Sequence, residues 1–408
     1  IRMMYDDGAL YMSAVLYDPE PHRLVSAGLE PDFNPQGSDM FGMAIDASRD
    51  KQSAYVFGAN PAGAKWDAQS FNDGAAINAA WEGIYDVSTS TFDEGWIMEM
   101  RIPLSTLRFP AGEGEQVWGL NFSRQVRRRN EYATWAAIPR QFRIFRMSEA
   151  GTVEGLPAFR PGRNVQVKPF FSGSSQGGEE HPNGPAQEYD VGIDAKWAVT
   201  SRLVLDLTAL TDFSQVEVDE EQINLTRFSL FFPEKRDFFL ENDGIFTFAD
   251  DASRAFRSGS SPQKFKLFHS RRIGLSDQRE PLPIAGGARL SGRIGRFEVG
   301  LMEMQTLGDG TDPAENFAVA RVRRSLLTRS DIGFIFVNRQ VTGGADMANY
   351  SRSGGIDANF RFDRLQVNAY AAITDDPGSE GDRSIGSVQL GWRDPVFDFS
   401  LLGKHVGA

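Results

Sequence analysis

The feature that most restricts this chain is a two-residue hydrophobic period that recurs almost from end to end, while helical periodicity is scarce. Short runs rich in Val, Ile, Phe, Tyr and Trp are separated by Gly, Asp, Asn and Pro. Strands joined by turns are expected, and the fold class is all-β. In one run Ile356, Ala358, Phe360 and Phe362 alternate with Asp357, Asn359 and Arg361. In another, Val191, Ile193, Ala195 and Trp197 alternate with Asp190, Gly192, Asp194 and Lys196, and a third sets Ala288, Leu290, Gly292 and Ile294 against Arg289, Ser291 and Arg293. Each run has an oily face and a polar one. A sandwich in water and a barrel in a membrane both give this alternation, so it leaves the two open.

Composition narrows the function classes. No run of 18 apolar residues exists, which excludes a spanning helix but not a spanning barrel, and the mean hydropathy of -0.36 therefore does not argue for a soluble protein. The absence of cysteine removes disulfides, thiolate metal sites and cysteine nucleophiles, and it suits an exported bacterial chain. A formal charge of -12 counts against a nucleic-acid partner, which needs a net basic face. No signal peptide is visible. Ile1 leads directly into Tyr5-Asp6-Asp7-Gly8-Ala9-Leu10-Tyr11, a turn inside a β-domain, so the expectation is a chain truncated at its start.

Two regions differ in texture. Residues 1–155 hold strand candidates at Leu10–Tyr17, Met40–Ile45, Ala54–Ala59, Gly95–Ile102 and Val117–Val126, with tryptophans at 66, 81, 96, 118 and 135, a pattern suited to a β-sandwich. Pro157, Pro161 and three glycines mark 151–163 as the place for a connection, with 156–163 as the linker itself. From Asn164 onward the strands reach roughly ten residues, near the length that crosses a membrane at a tilt. Short turns near Thr200-Ser201, Gly295-Arg296, Thr328-Arg329-Ser330, Asp363-Arg364 and Arg393-Asp394-Pro395 alternate with long polar loops at 172–188, 307–316, 342–353 and 375–384. Strict short-long alternation is the signature of an antiparallel up-and-down transmembrane barrel with its short turns in the periplasm. About a dozen strands fit before Ala408, so the barrel is expected to be incomplete there. By the same parity the strand starting near Asn164 runs outward, which puts the sandwich in the periplasm of a bacterial outer-membrane protein. The stretch 211–283 breaks the rhythm. Its Phe228, Phe231, Phe232, Phe238, Phe239 and Phe246 are too apolar for a free loop, so it is expected to be partly strand and partly folded into the barrel mouth or lumen.

Several segments resemble a known arrangement: Asp212-Phe213-Ser214-Gln215-Val216-Glu217-Val218-Asp219, Asn224-Leu225-Thr226, Phe231-Phe232-Pro233-Glu234-Lys235-Arg236-Asp237-Phe238-Phe239-Leu240-Glu241 and Ser270-Arg271-Arg272-Ile273-Gly274. So do Tyr5-Asp6-Asp7, Leu16-Tyr17-Asp18-Pro19, Asn60-Pro61-Ala62-Gly63, Gly95-Trp96 and Arg101-Ile102-Pro103 followed by Leu107-Arg108-Phe109. They are similar to bacterial proteins in which a domain like the family 9 carbohydrate-binding modules precedes a DUF5916 domain that looks like an outer-membrane barrel. The resemblance implies a glycan ligand and an outer-membrane lipid surround.

Sugar binding by stacking needs flat aromatic faces flanked by hydrogen-bonding groups. Trp66, in Gly63-Ala64-Lys65-Trp66-Asp67, and Trp81, before Glu82, lie off the evident core strands and are the carbohydrate-binding candidates, with ordinary packing as the alternative. Trp96 and Trp118 alternate with strand apolars and are expected in the core. The resemblance admits a calcium ion, for which Asp6, Asp7, Asp39, Asp46 and Asp50 offer oxygens, although Asp6-Asp7-Gly8 is more simply a turn. No other cofactor is expected. In the barrel, Asp212, Glu217, Asp219, Glu220 and Glu221 against Lys235 and Arg236 form a lumen charge cluster, either a constriction or salt bridges that pin a folded-in segment. Arg127, Arg128 and Arg129 face an anionic polymer, the periplasmic rim or only solvent.

Enzyme motifs fail. Gly173-Ser174-Ser175-Gln176-Gly177 lacks a following helix, Ser261-Pro262-Gln263-Lys264 lacks its companions, and histidines 22, 181, 269 and 405 show no metal spacing. The first functional expectation is an outer-membrane barrel with a periplasmic glycan-binding module in carbohydrate binding or uptake. The alternatives are a protein hydrolysing O-glycosyl bonds, or an accessory in carbohydrate catabolism, and a purely structural barrel.

Overall fold

The computed structural model describes every residue except 111–113, 140–141, 160–164, 177–185, 212–233, 252–264, 277–281, 309–311, 328–329, 344–347, 363, 379, 395 and 408. The chain divides into two compact units, Ile1–Arg163 and Asn164–Ala408.

The first unit is built from β1 (Arg2–Tyr5), β2 (Ala9–Tyr17), β3 (Met40–Asp46), β4 (Ala54–Ala59), β5 (Lys65–Phe71), β6 (Ala76–Asn78), β7 (Asp86–Phe92), β8 (Gly95–Pro103), β9 (Gln116–Val126), β10 (Glu131–Thr134) and β11 (Gly151–Leu156). One sheet runs β1-β2-β8-β7. The other runs β10-β9-β3-β4-β5-β6, with β11 also paired to β9. Their inner faces meet because the hydrophobic period is two. Leu10, Met12, Ala14 and Leu16 of β2 sit opposite Ile102, Met100, Met98 and Trp96 of β8, and all eight are buried with Phe41, Met43, Ile45, Phe57, Trp118, Leu120 and Phe122 from the second sheet. Trp96 and Trp118 are core residues, as expected. The far face of the second sheet is covered as well, because Phe33, Ile144 and Met147 pack onto Ala44, Val56, Trp66 and Ala68. The start of the stretch read as a connection belongs to this sandwich. Gly151–Leu156 pairs with β9, and Leu156 and Phe159 are buried, Phe159 against the rings of Trp118, Phe109 and Tyr5. Burial of those two side chains outweighs the local Pro and Gly content.

The second unit is an antiparallel sheet whose strands pair in sequence order: β12 (Val165–Gln176), β13 (Ala186–Thr200), β14 (Leu203–Thr211), β15 (Ile284–Ile294), β16 (Phe297–Thr306), β17 (Glu315–Leu327), β18 (Ser330–Val341), β19 (Tyr350–Phe362), β20 (Leu365–Asp375), β21 (Ser384–Arg393) and β22 (Asp398–Val406). Among the described residues β12 and β22 each have one neighbour, so this eleven-stranded sheet is open. The connections β13–β14, β15–β16, β17–β18, β19–β20 and β21–β22 span only two to four residues and share one end of the sheet, and the longer connections share the other. Val165 lies opposite Trp197, so the chain enters the sheet at the short-turn end.

One face of the sheet is lined by charge and covered by residues 234–251 and 265–276. In that stretch a short helix (Asp237–Leu240) and single turns place Phe238, Phe239, Ile245, Phe246 and Phe248 against Met302, Met304, Phe317 and Ile335. The described residues 234–251 and 265–276 of this segment contain no strand, and much of the 211–283 stretch expected to be partly strand lies outside the described residues. Phe228, Phe231 and Phe232 lie outside the described residues.

Candidate functional site

Trp66 and Trp81 are both buried, at 8% and 5% exposure. Trp66 is on β5 and packs against Phe145. Trp81 lies between β6 and β7 with its ring against Tyr55 and Phe57. Neither offers an open face, because the 142–150 stretch and the sandwich core cover them. Trp135 is the exposed tryptophan of this unit, at 56%, with its ring over Gly151 and edge-on to Phe122.

Beside the two buried tryptophans lies a group of carboxylates. Asp67 accepts a hydrogen bond from the Gly83 N–H at 2.6 Å. Burial, reinforced by the Asp32 and Glu82 carboxylates, pushes its pKa up to about 7. Burial also raises Asp32 to about 6, with Glu82 as the second cause. The Tyr85 hydroxyl, donating to the Gly58 carbonyl at 3.2 Å, is pushed above its usual range by burial. Lys65 Nζ donates to the Tyr85 carbonyl at 2.5 Å. These groups hold the loop after Trp81 onto β5.

Among the described residues the sandwich has a polar groove of about 820 Å³ at the β10 edge of the second sheet. The β9–β10 hairpin builds one wall. Its turn closes through Asn130, in the left-handed region at φ 50°, and its register sets Tyr132 opposite Gln125. Gln125 Nε2 donates to the carbonyls of Pro35 (2.5 Å) and Ser38 (3.1 Å), which holds the 34–38 segment as a second wall. Asp39 pins the same corner, accepting from the N–H groups of Val25 (2.9 Å) and Arg127 (2.5 Å). The third wall is formed by Ile138, Phe142 and Arg143. There the Arg143 guanidinium lies 4.6 Å from the centre of the Tyr132 ring, and the Tyr132 hydroxyl accepts from the Ile144 N–H at 3.0 Å. Trp66 supports this wall from beneath through Phe145 and the Ile144–Met147 cluster.

Arg127–Arg129 form the turn of this hairpin and not a strand face. Arg127 lines the groove, while Arg128 pairs with Asp18, giving 2.8 Å from Nη1 to Oδ2. The Arg128 guanidinium holds Asp18 down to about 2. Local sequence did not separate these three arginines, because their roles follow from the turn that Asn130 closes.

Three of the five carboxylates offered for calcium are engaged by nearby groups. Asp6 accepts from Gly8 N, Ala9 N and the Tyr11 hydroxyl; Asp46 accepts from Asp50 N and Lys51 N; Asp50 accepts from Gln52 N, Ser53 N and the Ser53 hydroxyl. Among the described residues no three acidic or histidine side chains converge as a metal site. Asp212, Glu217, Asp219, Glu220 and Glu221 lie outside the described residues. Arg236 is buried, pairs with Glu234 at 2.8 Å and donates to the carbonyls of Ile273 (2.9 Å) and Ser270 (2.8 Å), so it ties two parts of its own segment together; Lys235 is its neighbour in the chain.

In the second unit the charged face of the sheet is paired across strands. Arg321 of β17 reaches over Gly333 of β18 to Asp357 of β19 with two bonds of 2.7 Å. A Cβ at Gly333 would lie 2.5 Å from Arg321 Nη1, so glycine is required under the pair. Arg289 meets Asp206 directly across β14 and β15 at 3.1 Å, and Glu298 takes Arg323 from one side and Arg293 (3.3 Å) from the other.

A model described as "Carbohydrate family 9 binding domain-like" matches residues 1–142, and one described as "Domain of unknown function (DUF5916)" matches residues 161–285. The chain joins these two domains in that order. No curated protein and no solved structure matches it. The carbohydrate-binding-like match spans the β9–β10 hairpin and reaches Ile138 and Phe142 of the groove. The DUF5916 match covers β12–β14 and the segment folded onto the charged face.

Proposed function

We propose that this chain is an outer-membrane β-barrel protein whose sandwich, on the periplasmic side, binds a glycan. The observation that carries the membrane reading is the inverted distribution of side chains on the eleven-stranded sheet. Ile356 is 61% exposed while its neighbour Asp357 is buried and paired. Val191, Ile193, Trp197, Ile332, Phe334 and Val388 are likewise exposed, and Arg289, Arg321, Arg323 and Asp206 are buried. In water this costs twice, since buried ions lose several kcal/mol of hydration each and exposed apolar area loses about 25 cal/mol per Å². With lipid outside, the apolar face is solvated and the buried Arg289, Arg321, Arg323 and Asp206 stay on the inner side. Strands of 9 to 15 residues are long enough to cross. Entry of the chain at the short-turn end supports the periplasmic side for the sandwich.

The glycan reading is supported by the carbohydrate-binding-like match and by the groove, whose Gln125, Asn130 and Tyr132 supply hydrogen-bonding groups for sugar hydroxyls. Trp66 acts as a positioning residue through the 142–147 wall, and Trp81 holds the loop that covers Asp67. Calorimetric titration of the detergent-folded chain with an oligosaccharide panel tests this. A saccharide that binds wild type, and binds at least tenfold more weakly to Tyr132→Ala and to Trp66→Ala, is the expected result. Failure of the whole panel to bind defeats it, and reducing-sugar release in the same samples would favour a hydrolase instead.

A further inference from the structure

The groove carries unspent positive charge in an acidic protein. Arg124 and Arg128 both meet Asp18, and Arg146 meets Asp73 at 3.1 Å. Arg127 and Arg143 both line the groove, and among the described residues neither has a carboxylate partner. Arg127 is fixed through its backbone N–H on Asp39, and Arg143 lies over the Tyr132 ring, with Nη1 3.4 Å from Gln125 Oε1. Contact with the ring face restrains the guanidinium without using its remaining N–H donors. Glu131 is the one acidic side chain among the described lining residues, so the lining is net cationic. The formal charge of the whole chain is -12. A cationic recess in such a chain is a local feature that favours an anion.

We infer that the ligand of this groove is a glycan bearing carboxylate groups, with the planar forks of Arg127 and Arg143 taking the carboxylates and Gln125 and Asn130 the neighbouring hydroxyls. Guanidinium geometry matches a carboxylate with two parallel bonds, which a neutral hexose cannot supply. The inference rests on the groove being the glycan site of the sandwich. A charge-assisted bond of this kind is worth about tenfold to a hundredfold in affinity.

The test uses the full chain folded in detergent and four probes: tetragalacturonate, its fully methyl-esterified form, cellotetraose, and the N-acetylglucosaminyl-N-acetylmuramic acid disaccharide. Esterification removes the charge and keeps the sugar. At least one of the two acids is expected to bind tenfold or more tighter than the ester and cellotetraose, and which acid does so identifies the source of the carboxylate. That margin is expected to shrink in high salt, to vanish in Arg127→Ala/Arg143→Ala, and to be partly restored by Arg143→Lys with Arg127 intact. Both arginines are exposed, and unchanged circular dichroism checks that the variants fold. Equal binding of acid and ester overturns the inference while glycan binding stands. An acid preference that survives in the double variant overturns the assignment to this groove. Absence of binding by all four probes overturns the inference and the glycan reading together.

Discussion

Replacing Asp67 by Asn should stabilise the sandwich in a pH-dependent way. Asp67 sits beside Asp32 and Glu82, and burial followed by those two charges raises its pKa to about 7 from an ordinary 3.8. The folded state therefore keeps a proton that the unfolded chain releases. Folding stability is highest below about pH 4 and falls as the pH rises through the window from 3.8 to about 7, after which it levels. A shift of about three pH units corresponds to about 4 kcal/mol at most. In Asp67→Asn the amide oxygen can still accept from the Gly83 N–H, so the loop contact survives while the charge is gone. The assay is urea unfolding of the detergent-folded chain followed by tryptophan fluorescence, since five of the seven tryptophans lie in residues 1–163. Wild type and Asp67→Asn should coincide near about pH 4. The variant should lead by a few kcal/mol near about pH 8. Parallel pH profiles, or a variant that is weaker at high pH, would mean that Asp67 is not protonated on folding.

Asp18 runs the other way, because the Arg128 guanidinium lowers it to about 2, so its contribution is present above about pH 4 and lost as the pH falls towards 2. Asp18→Asn should cost about 2 to 3 kcal/mol in neutral urea melts, a gap that closes in acid. Gly333→Ala should part Arg321 from Asp357, whose removal from each other costs roughly 3 kcal/mol, and the loss should appear as a lower unfolding midpoint of the sheet in detergent. On intact cells, an impermeant maleimide should label Glu380→Cys, in the 376–383 connection at the long-loop end, and should label Ser90→Cys only after the outer membrane is opened; the reverse pattern would invert the topology.

Strand content and the spacing of connections were legible because both rest on local rules, the period of two and the turn residues. Ala54–Ala59 and the turns at 201–202 and 295–296 stand where their sequence puts them. The end of the sandwich was not legible, since Leu156 and Phe159 are drawn into the core by Trp118 and Phe109, partners about 40 to 50 residues away in the chain. Trp66 and Trp81 drew attention through their polar neighbours. Those neighbours turn out to include Asp67 and Glu82, carboxylates packed among themselves, and the rings are covered from the other side by the 142–150 stretch and the core. The groove went unseen for a related reason. Gln125, Arg127 and Tyr132 come together through a hairpin register, but Arg143 reaches them only when its segment folds back over the sheet. The two-strand reach from Arg321 to Asp357 needs a glycine between them, and that is visible only once β17, β18 and β19 are in register.

In the proposed outer-membrane protein the exposed apolar face of the eleven-stranded sheet meets lipid. The chain has no cysteine, so single cysteines carry a unique fluorophore. Val191→Cys, Ile332→Cys and Ile356→Cys report the exposed face, and Asn359→Cys and Asn368→Cys the buried one. In proteoliposomes containing lipids brominated along their chains, strong quenching is expected at the first three positions and little at the other two. Equal quenching at all five, or none at 191, 332 and 356, would contradict a lipid-facing sheet.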